Sequence, residues 1–115
     1  TRFRNVTGVQ TCTLPICAFR NWGIPTAQCL REIHAALPNA PLIASGGITD
    51  GIEIGKCLAL GASLVGIAGP LLRAVMQSEN ALRETIEVLN RQLCLCMFAT
   101  GSKSLADLRQ GKLLD

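Results

Sequence analysis

Aromatic side chains are nearly missing from this 115-residue chain. They make up 3% of it, too few to build the stacking platforms on which single-stranded nucleic acids lie. Charge of one sign is scarce as well: the net charge is +3 at pH 7, and the basic residues are scattered rather than gathered into the stripe a nucleic-acid groove requires. No apolar run is long enough to span a bilayer, and the opening residues lack the charged-then-apolar pattern of a secretory signal. Cysteine spacing of the zinc-binding kind, C-x-x-C or its C/H variants, does not occur. These absences predict a protein that binds neither nucleic acid nor membrane, holds no structural metal, and works in the cytoplasm.

Apolar residues, by contrast, make up 49% of the chain, enough for the core of one small domain or of a piece of a larger one. The six cysteines are Cys12, Cys17, Cys29, Cys57, Cys94 and Cys96. With no extracellular context to supply a disulfide framework, they read as reduced thiols, several of them in the core. Cys94 and Cys96 fall in a helical pattern, where positions two apart diverge.

Composition changes abruptly at Ala18. Before it, "TRFRNVTGVQTCTLPIC" has neither helical nor strand period. Val6 to Ile16 resembles the translation of a common sequencing-library adapter, VTGVQTCALPI, with ten of eleven residues identical and Thr13 the exception. Residues 1–17 are therefore expected to be a non-native, adapter-derived segment, and residues 18–115 the genuine domain. Resequencing the source locus across the junction tests this.

From Ala18 the pattern is regular. Pro25 and Thr26 start a helix whose apolar set is Ala27, Leu30, Ile33 and Leu37, and Pro38, Asn39 and Pro41 stop it. "PLIAS" reads as a short buried strand. Asp50 is a candidate N-cap for "GIEIGKCLAL", with Gly61 past its end. "SLVGIA" is a second buried strand. Pro70 opens a short helix, and Ser78 or Glu79 starts a long one that runs to about Thr100. Gly101 ends it before a last short helix in "SLADLRQG". Strands alternating with helices imply βαβ units in a parallel sheet. Two strands, both apolar on both faces, cannot make the buried interior of such a sheet, so the stretch reads as part of a larger domain.

Chemistry concentrates in the turns that follow the strands. The first is Ser45-Gly46-Gly47-Ile48-Thr49-Asp50-Gly51, the second Gly66-Ile67-Ala68-Gly69-Pro70. Two such turns on neighbouring parallel strands put backbone N–H groups at one end of the sheet, where amides and a helix N-terminus can hold a phosphate. In a (β/α)8 barrel this arrangement after the seventh and eighth strands is a recurrent phosphate site. A glycine-only reading, in which Gly46 and Gly47 merely turn the chain, stays open on the residues alone. Other polar residues read as structural. Asp50 and Glu53 favour a helix dipole, and His34 reads as a surface residue. Glu79, Glu84 and Glu87 with Arg83 and Arg91 read as a solvated face. Ser45 has no paired base and is not a nucleophile candidate.

"FRNWGIPTAQCLREI", "PLIASGGITDGIEIGKCLALGASLVGIAGPLL" and "MFATGSKSLADLR" together resemble the C-terminal end of the type 2 isopentenyl-diphosphate isomerases, over residues 18 to 115. The Gly-Gly strand and the "ALGAxxVGIAxP" pattern are shared with other FMN barrels. "WGIPT" and "MFATGSKSLADLR" are the discriminating parts. The resemblance implies an α/β fold: the C-terminal part of a (β/α)8 TIM barrel, about its last two strands and their helices. It implies a parent enzyme, expected to be a homo-oligomer, that converts isopentenyl diphosphate to dimethylallyl diphosphate. Reduced FMN would act there as acid–base agent without net redox change, with magnesium binding the substrate diphosphate and NAD(P)H as a further cofactor.

By the same resemblance Gly46, Gly47, Ile48 and Thr49 hold the FMN phosphate from the first turn, and Ala68 and Gly69 from the second. Many members of the family carry a basic residue near Thr49 or Gly69. None stands there in this sequence, which leaves the amides as the expected contacts. The family's catalytic and magnesium-contacting motifs have no match here, so this stretch is expected to be inactive alone. Two alternatives remain. One is a fragment of an FMN-dependent 2-hydroxy-acid oxidase, although "WGIPT" replaces the His-Gly-Gly-Arg run such an enzyme places before the Gly-Gly strand. The other is a non-catalytic phosphate-binding fragment.

Overall fold

The computed structural model describes residues 18–111. The adapter-like segment 1–17, with Cys12 and Cys17, lies outside the described residues, as do residues 112–115. The element order is α1 (Thr26–Ala36), β1 (Ile43–Ala44), α2 (Gly51–Ala59), β2 (Leu64–Val65), α3 (Gly69–Val75), α4 (Glu79–Ala99) and α5 (Leu105–Arg109). It follows the expected sequence of helices and strands.

Side chains at the helix starts explain most boundaries. Asp50 caps α2 by accepting the N–H of Glu53 at 2.8 Å, and Ser78 caps α4 through the N–H of Ala81 at 3.0 Å. Ser104 and Asp107 form a reciprocal capping box on α5, so each satisfies a donor the helix leaves open. α1 starts instead on Pro25, whose φ of −55° and ψ of 140° hold the entry extended, and no side chain caps it. Thr100 closes α4, with its N–H on the Cys96 carbonyl.

β1 and β2 pair in parallel, Ile43 opposite Leu64 and Ala44 opposite Val65. The ladder is shorter than the five or six residues the sequence suggests. Each strand has one hydrogen-bonded neighbour among the described residues, so only the segment facing that neighbour is held. Flanking bonds extend the contact without making regular strand: Ser63 N–H to Leu42 O at 2.7 Å and Gly66 N–H to Ala44 O at 2.8 Å.

The helices cover one face of this pair. Leu30 of α1, Ala44 of β1, Ile48 of the first turn, Cys57 of α2 and Ala62 form the core cluster; burying a side chain of the size of Leu30 or Ile48 contributes about 1.5–3 kcal/mol. The opposite face is bare: Ile43 is 70% exposed and Leu64 63%. Strand alternation puts these two opposite the helical layer, on the side that faces inward in a (β/α)8 barrel and is filled there by side chains from other strands.

α2 lies very close to α4. A Cβ on Gly51 would collide with the Leu89 carbonyl and the Gln92 side chain, and one on Gly55 would stand 2.7 Å from the Cys96 Sγ. The four described cysteines are free. The expectation of several core thiols holds for one of them: Cys57 is fully buried, while Cys29 and Cys96 are half-buried and Cys94 is exposed. Helical geometry turns Cys94 away from the face of α4 that meets α2.

Candidate functional site

The two turns converge on one pocket of about 200 Å³. Ser45, Gly46, Gly47, Ile48 and Thr49 form one wall, and Gly66, Ala68, Gly69, Pro70 and Arg73 the other. All six residues singled out from the sequence therefore line the same space. Its volume falls below the roughly 300 Å³ at which whole-ligand pockets begin, so it suits the end of a ligand rather than a complete flavin.

The first turn is built around backbone conformations that a side chain resists. Gly46 has φ of 101° and Gly47 φ of 74°, both in the region where an L-residue is strained. The turn is also pinned from outside. Thr26, at the start of α1 and the last residue of "WGIPT", donates its hydroxyl to the Gly46 carbonyl at 2.9 Å. Thr26 was not expected to matter from the sequence. The cue was a hydroxyl residue just after the helix-starting proline, and only the packing of α1 beside the turn shows what it bonds.

Among the described residues, the N–H groups of Gly46, Gly47, Ile48, Ala68 and Gly69 donate to no protein acceptor. These are the donors an anion would use. Thr49 differs. Its N–H donates to Glu53 Oε2 at 2.7 Å and its hydroxyl to the same oxygen at 3.1 Å. Both donors are thus committed to a carboxylate, and Thr49 forms a wall of the pocket while pointing its hydrogens elsewhere. Glu53 itself is half-buried and ties the turn to α2, a more definite place than the helix-dipole role expected from the sequence.

The start of α2 is equally occupied. Gly51 N–H donates to Gln92 Oε1 of α4 at 2.8 Å, and Glu53 N–H to Asp50. With the N–H groups of Gly51 and Glu53 taken and Asp50 and Glu53 both acidic, this helix start offers an anion no favourable side-chain charge, and none of its residues from Asp50 onward lines the pocket. An anion in the pocket is left to the turn amides.

Positive charge comes from the other wall. Arg73 lies one helical turn beyond Gly69, and its Nη1 would be 3.6 Å from a Cβ on that glycine. Among the described residues it is the one charged side chain lining the pocket. The expectation that no basic residue stands near Gly69 is corrected here: none is adjacent in sequence, but the i, i+4 geometry of α3 brings the guanidinium to the turn. That spacing was the readable signal.

His34 is exposed and lies over Gly61, where a Cβ would meet its ring at 2.6 Å. It is remote in sequence and does not line the pocket. Arg109 of α5 donates to the Ser63 carbonyl at 2.8 Å, tying the last described helix to the entrance of β2. Among the described residues no cluster of metal-ligating side chains is assembled, and no helix is long and apolar enough to cross a membrane. The charged face on α4 is solvated, as read, and carries two ion pairs: Arg83 with Glu79 at 3.3 Å and Arg91 with Glu87 at 3.8 Å, all well exposed.

Comparison with known proteins gives a consistent picture. The FMN-dependent dehydrogenase family matches residues 21–115. An isopentenyl-diphosphate delta-isomerase of Stutzerimonas stutzeri is 55% identical over 97 residues, which is 84% of this chain and 28% of that protein. The enzyme of the same name from Cronobacter sakazakii is 53% identical over 96 residues, again 84% and 28%. The chain thus spans about 28% of the length of these relatives. Among solved structures, a mandelate oxidase bearing a monooxide FMN adduct superposes with a TM-score of 0.75 at 28% identity, covering 80% of this chain and 30% of that one. A Pediococcus acidilactici lactate oxidase gives 0.73, also at 28% identity, covering 76% and 25%. The short ladder and one-sided helical layer are part of a (β/α)8 barrel.

Proposed function

We propose that this chain, which belongs to the FMN-dependent dehydrogenase family, supplies the FMN-phosphate turns of an enzyme that converts isopentenyl diphosphate to dimethylallyl diphosphate. The observation that carries the reading is the pairing of two facts. The two glycine turns form one pocket with unused amides, and the relatives matched at 55% and 53% identity over 84% of the chain are isopentenyl-diphosphate isomerases.

The residues present fit the phosphate end of FMN. Gly46, Gly47 and Ile48 offer amides from the first turn, Ala68 and Gly69 from the second, and Thr49 closes the side. Side chains at Gly46 or Gly47 would strain the turn that aims these amides. Thr26 and Glu53 hold the turn's shape before any ligand arrives, which lowers the ordering cost of binding. When bound, reduced FMN supplies an acid–base pair for an allylic proton shift with no net redox change. This chain's part is to fix one end of the flavin. The groups that meet the substrate diphosphate and magnesium would come from elsewhere in the parent barrel.

The oxidase reading is favoured by the structural neighbours, since mandelate and lactate oxidases share the fold at TM-scores of 0.75 and 0.73. Sequence separates the two: 55% identity to an isomerase against 28% to the oxidases, and "WGIPT" where an oxidase places its His-Gly-Gly-Arg run. Magnesium and NAD(P)H as cofactors, a homo-oligomeric parent and a cytoplasmic location rest on the resemblance.

The test is direct. The full-length parent, given reduced FMN, magnesium and isopentenyl diphosphate, is expected to form dimethylallyl diphosphate, followed by NMR. Oxidation of a 2-hydroxy acid with no isomerisation would transfer the chain to the oxidase reading.

A further inference from the structure

We propose that Arg73 is the charge partner of the ligand phosphate, and that it makes the pocket select a phosphorylated flavin over its unphosphorylated counterpart. The proposal rests on the FMN reading above and deepens it.

The pocket walls are otherwise backbone and small side chains: glycines, alanine, proline, serine, isoleucine and threonine. Amides alone can orient an anion but carry no net charge. On the side of the first turn the nearest ionisable groups are acidic, Asp50 and Glu53, and both are bound into the start of α2. A phosphate entering here would meet negative charge on that side without a cation to offset it. Arg73 supplies that cation. Its guanidinium reaches the Gly69 turn, and among the described residues it forms no ion pair or hydrogen bond. It is also exposed, so its fork is not needed to hold α3 in place. The packing of α3 falls to Ala74. A planar, always-charged fork beside a row of unused amides suits bidentate contact with a phosphate.

Riboflavin and FMN differ only in the phosphate, so comparing them isolates the contact. In the full-length parent, flavin affinity is measured by quenching of flavin fluorescence for both ligands, with the unmodified protein, Arg73→Gln and Arg73→Lys. We expect Arg73→Gln to weaken FMN binding about tenfold to a hundredfold, the scale of a lost charge-assisted hydrogen bond, and to leave riboflavin unchanged. Arg73→Lys should recover part of the loss. FMN affinity of the unmodified protein should fall with added salt while riboflavin affinity does not.

Equal FMN affinity in Arg73→Gln, or equal weakening of both flavins, would overturn the role of Arg73 and leave the FMN site standing. An unmodified parent that binds neither flavin would overturn the FMN reading and Arg73 with it. Should Arg73→Gln fail to fold, the salt dependence and the lysine variant still decide the matter: no salt effect on FMN, or no difference in Arg73→Lys between the two flavins' responses, rejects the proposal.

Discussion

The two turns that face each other across the pocket are held in different ways. The first is locked from three directions: the Thr26 hydroxyl on the Gly46 carbonyl, the Glu53 carboxylate on Thr49, and the Asp50 cap with Gln92 on Gly51. Beneath it, Ile48 and Cys57 sit in the core. The second turn has no comparable lock among the described residues. It runs through Ala68 into a short helix with a proline at its start, and brings a free guanidinium instead. One turn provides shape at the cost of committing several donors to neighbouring carboxylates and amides. The other provides charge. On the proposed reading a phosphate would use both, and dividing them would let acidic helix-start residues stabilise α2 without being the only charge the ligand meets.

Removing the rest of the barrel should have the largest effect on this pair. Residues 18–115 expressed alone keep both turns but leave Ile43 and Leu64 without cover and the strand pair with open edges. We expect a loosely packed or aggregating species with no FMN affinity on the order of micromolar and no cooperative unfolding transition. Denaturation curves and a flavin titration check this. A soluble monomer with a sharp transition and micromolar binding would mean that the two turns suffice by themselves.

Breaking the lock of the first turn alone should cost less. At Gly47→Val a β-branched side chain must adopt φ near 74° or move the turn, and a left-handed residue costs about 1–2 kcal/mol, more when β-branched. In the parent, FMN affinity should fall at least about tenfold, the equivalent of 1.4 kcal/mol. Titration that finds unchanged affinity removes Gly47 from the site.

The footing of the first turn should show in alkaline solution. Burial, with the Glu53 charge adding to it, pushes the Cys57 thiol up to about 11. The folded state therefore keeps its proton while an unfolded chain releases it from about pH 9, and the folded form loses stability as pH rises from there through about 11. Thermal midpoints of the parent and of Cys57→Ala, taken from pH 8 to 11, should draw together as pH rises. A constant difference would contradict this.

The smallest effect belongs to Glu53→Gln. The amide oxygen can still accept the Thr49 N–H, so the lock survives, and no role in proton transfer is expected. Turnover in the parent should stay within about threefold, well short of the hundredfold or more typical of a general acid–base group. A loss on that scale would give Glu53 a part in the chemistry.

Much of this was legible in the chain. Helix starts could be read at Asp50, Ser78 and Ser104 because capping is local: a short side chain bonds an amide three residues on. The Gly-Gly turn was legible because positive φ leaves its mark on residue type. Strand length was not, because a strand extends only as far as its neighbour holds it. The commitment of Thr49 was hidden too, although Glu53 is only four residues away, since the sequence alone does not say whether a helix-start acid turns to solvent or back over its own turn.

The sequence by itself determined the order of elements, the helix caps, the glycine turns and, through its resemblance, the family. Each depends on residues close together in the chain or on a pattern carried in their order. Only the tertiary structure decided that Thr26 holds the Gly46 carbonyl from 20 positions away, that Gln92 closes the start of α2 from 41, and that Arg73 and the first turn share one pocket. Those contacts exist because parallel pairing of β1 with β2 brings the two turns to the same end of the sheet, and because Gly51 and Gly55 let α4 approach α2 closely. Both are long-range packing outcomes.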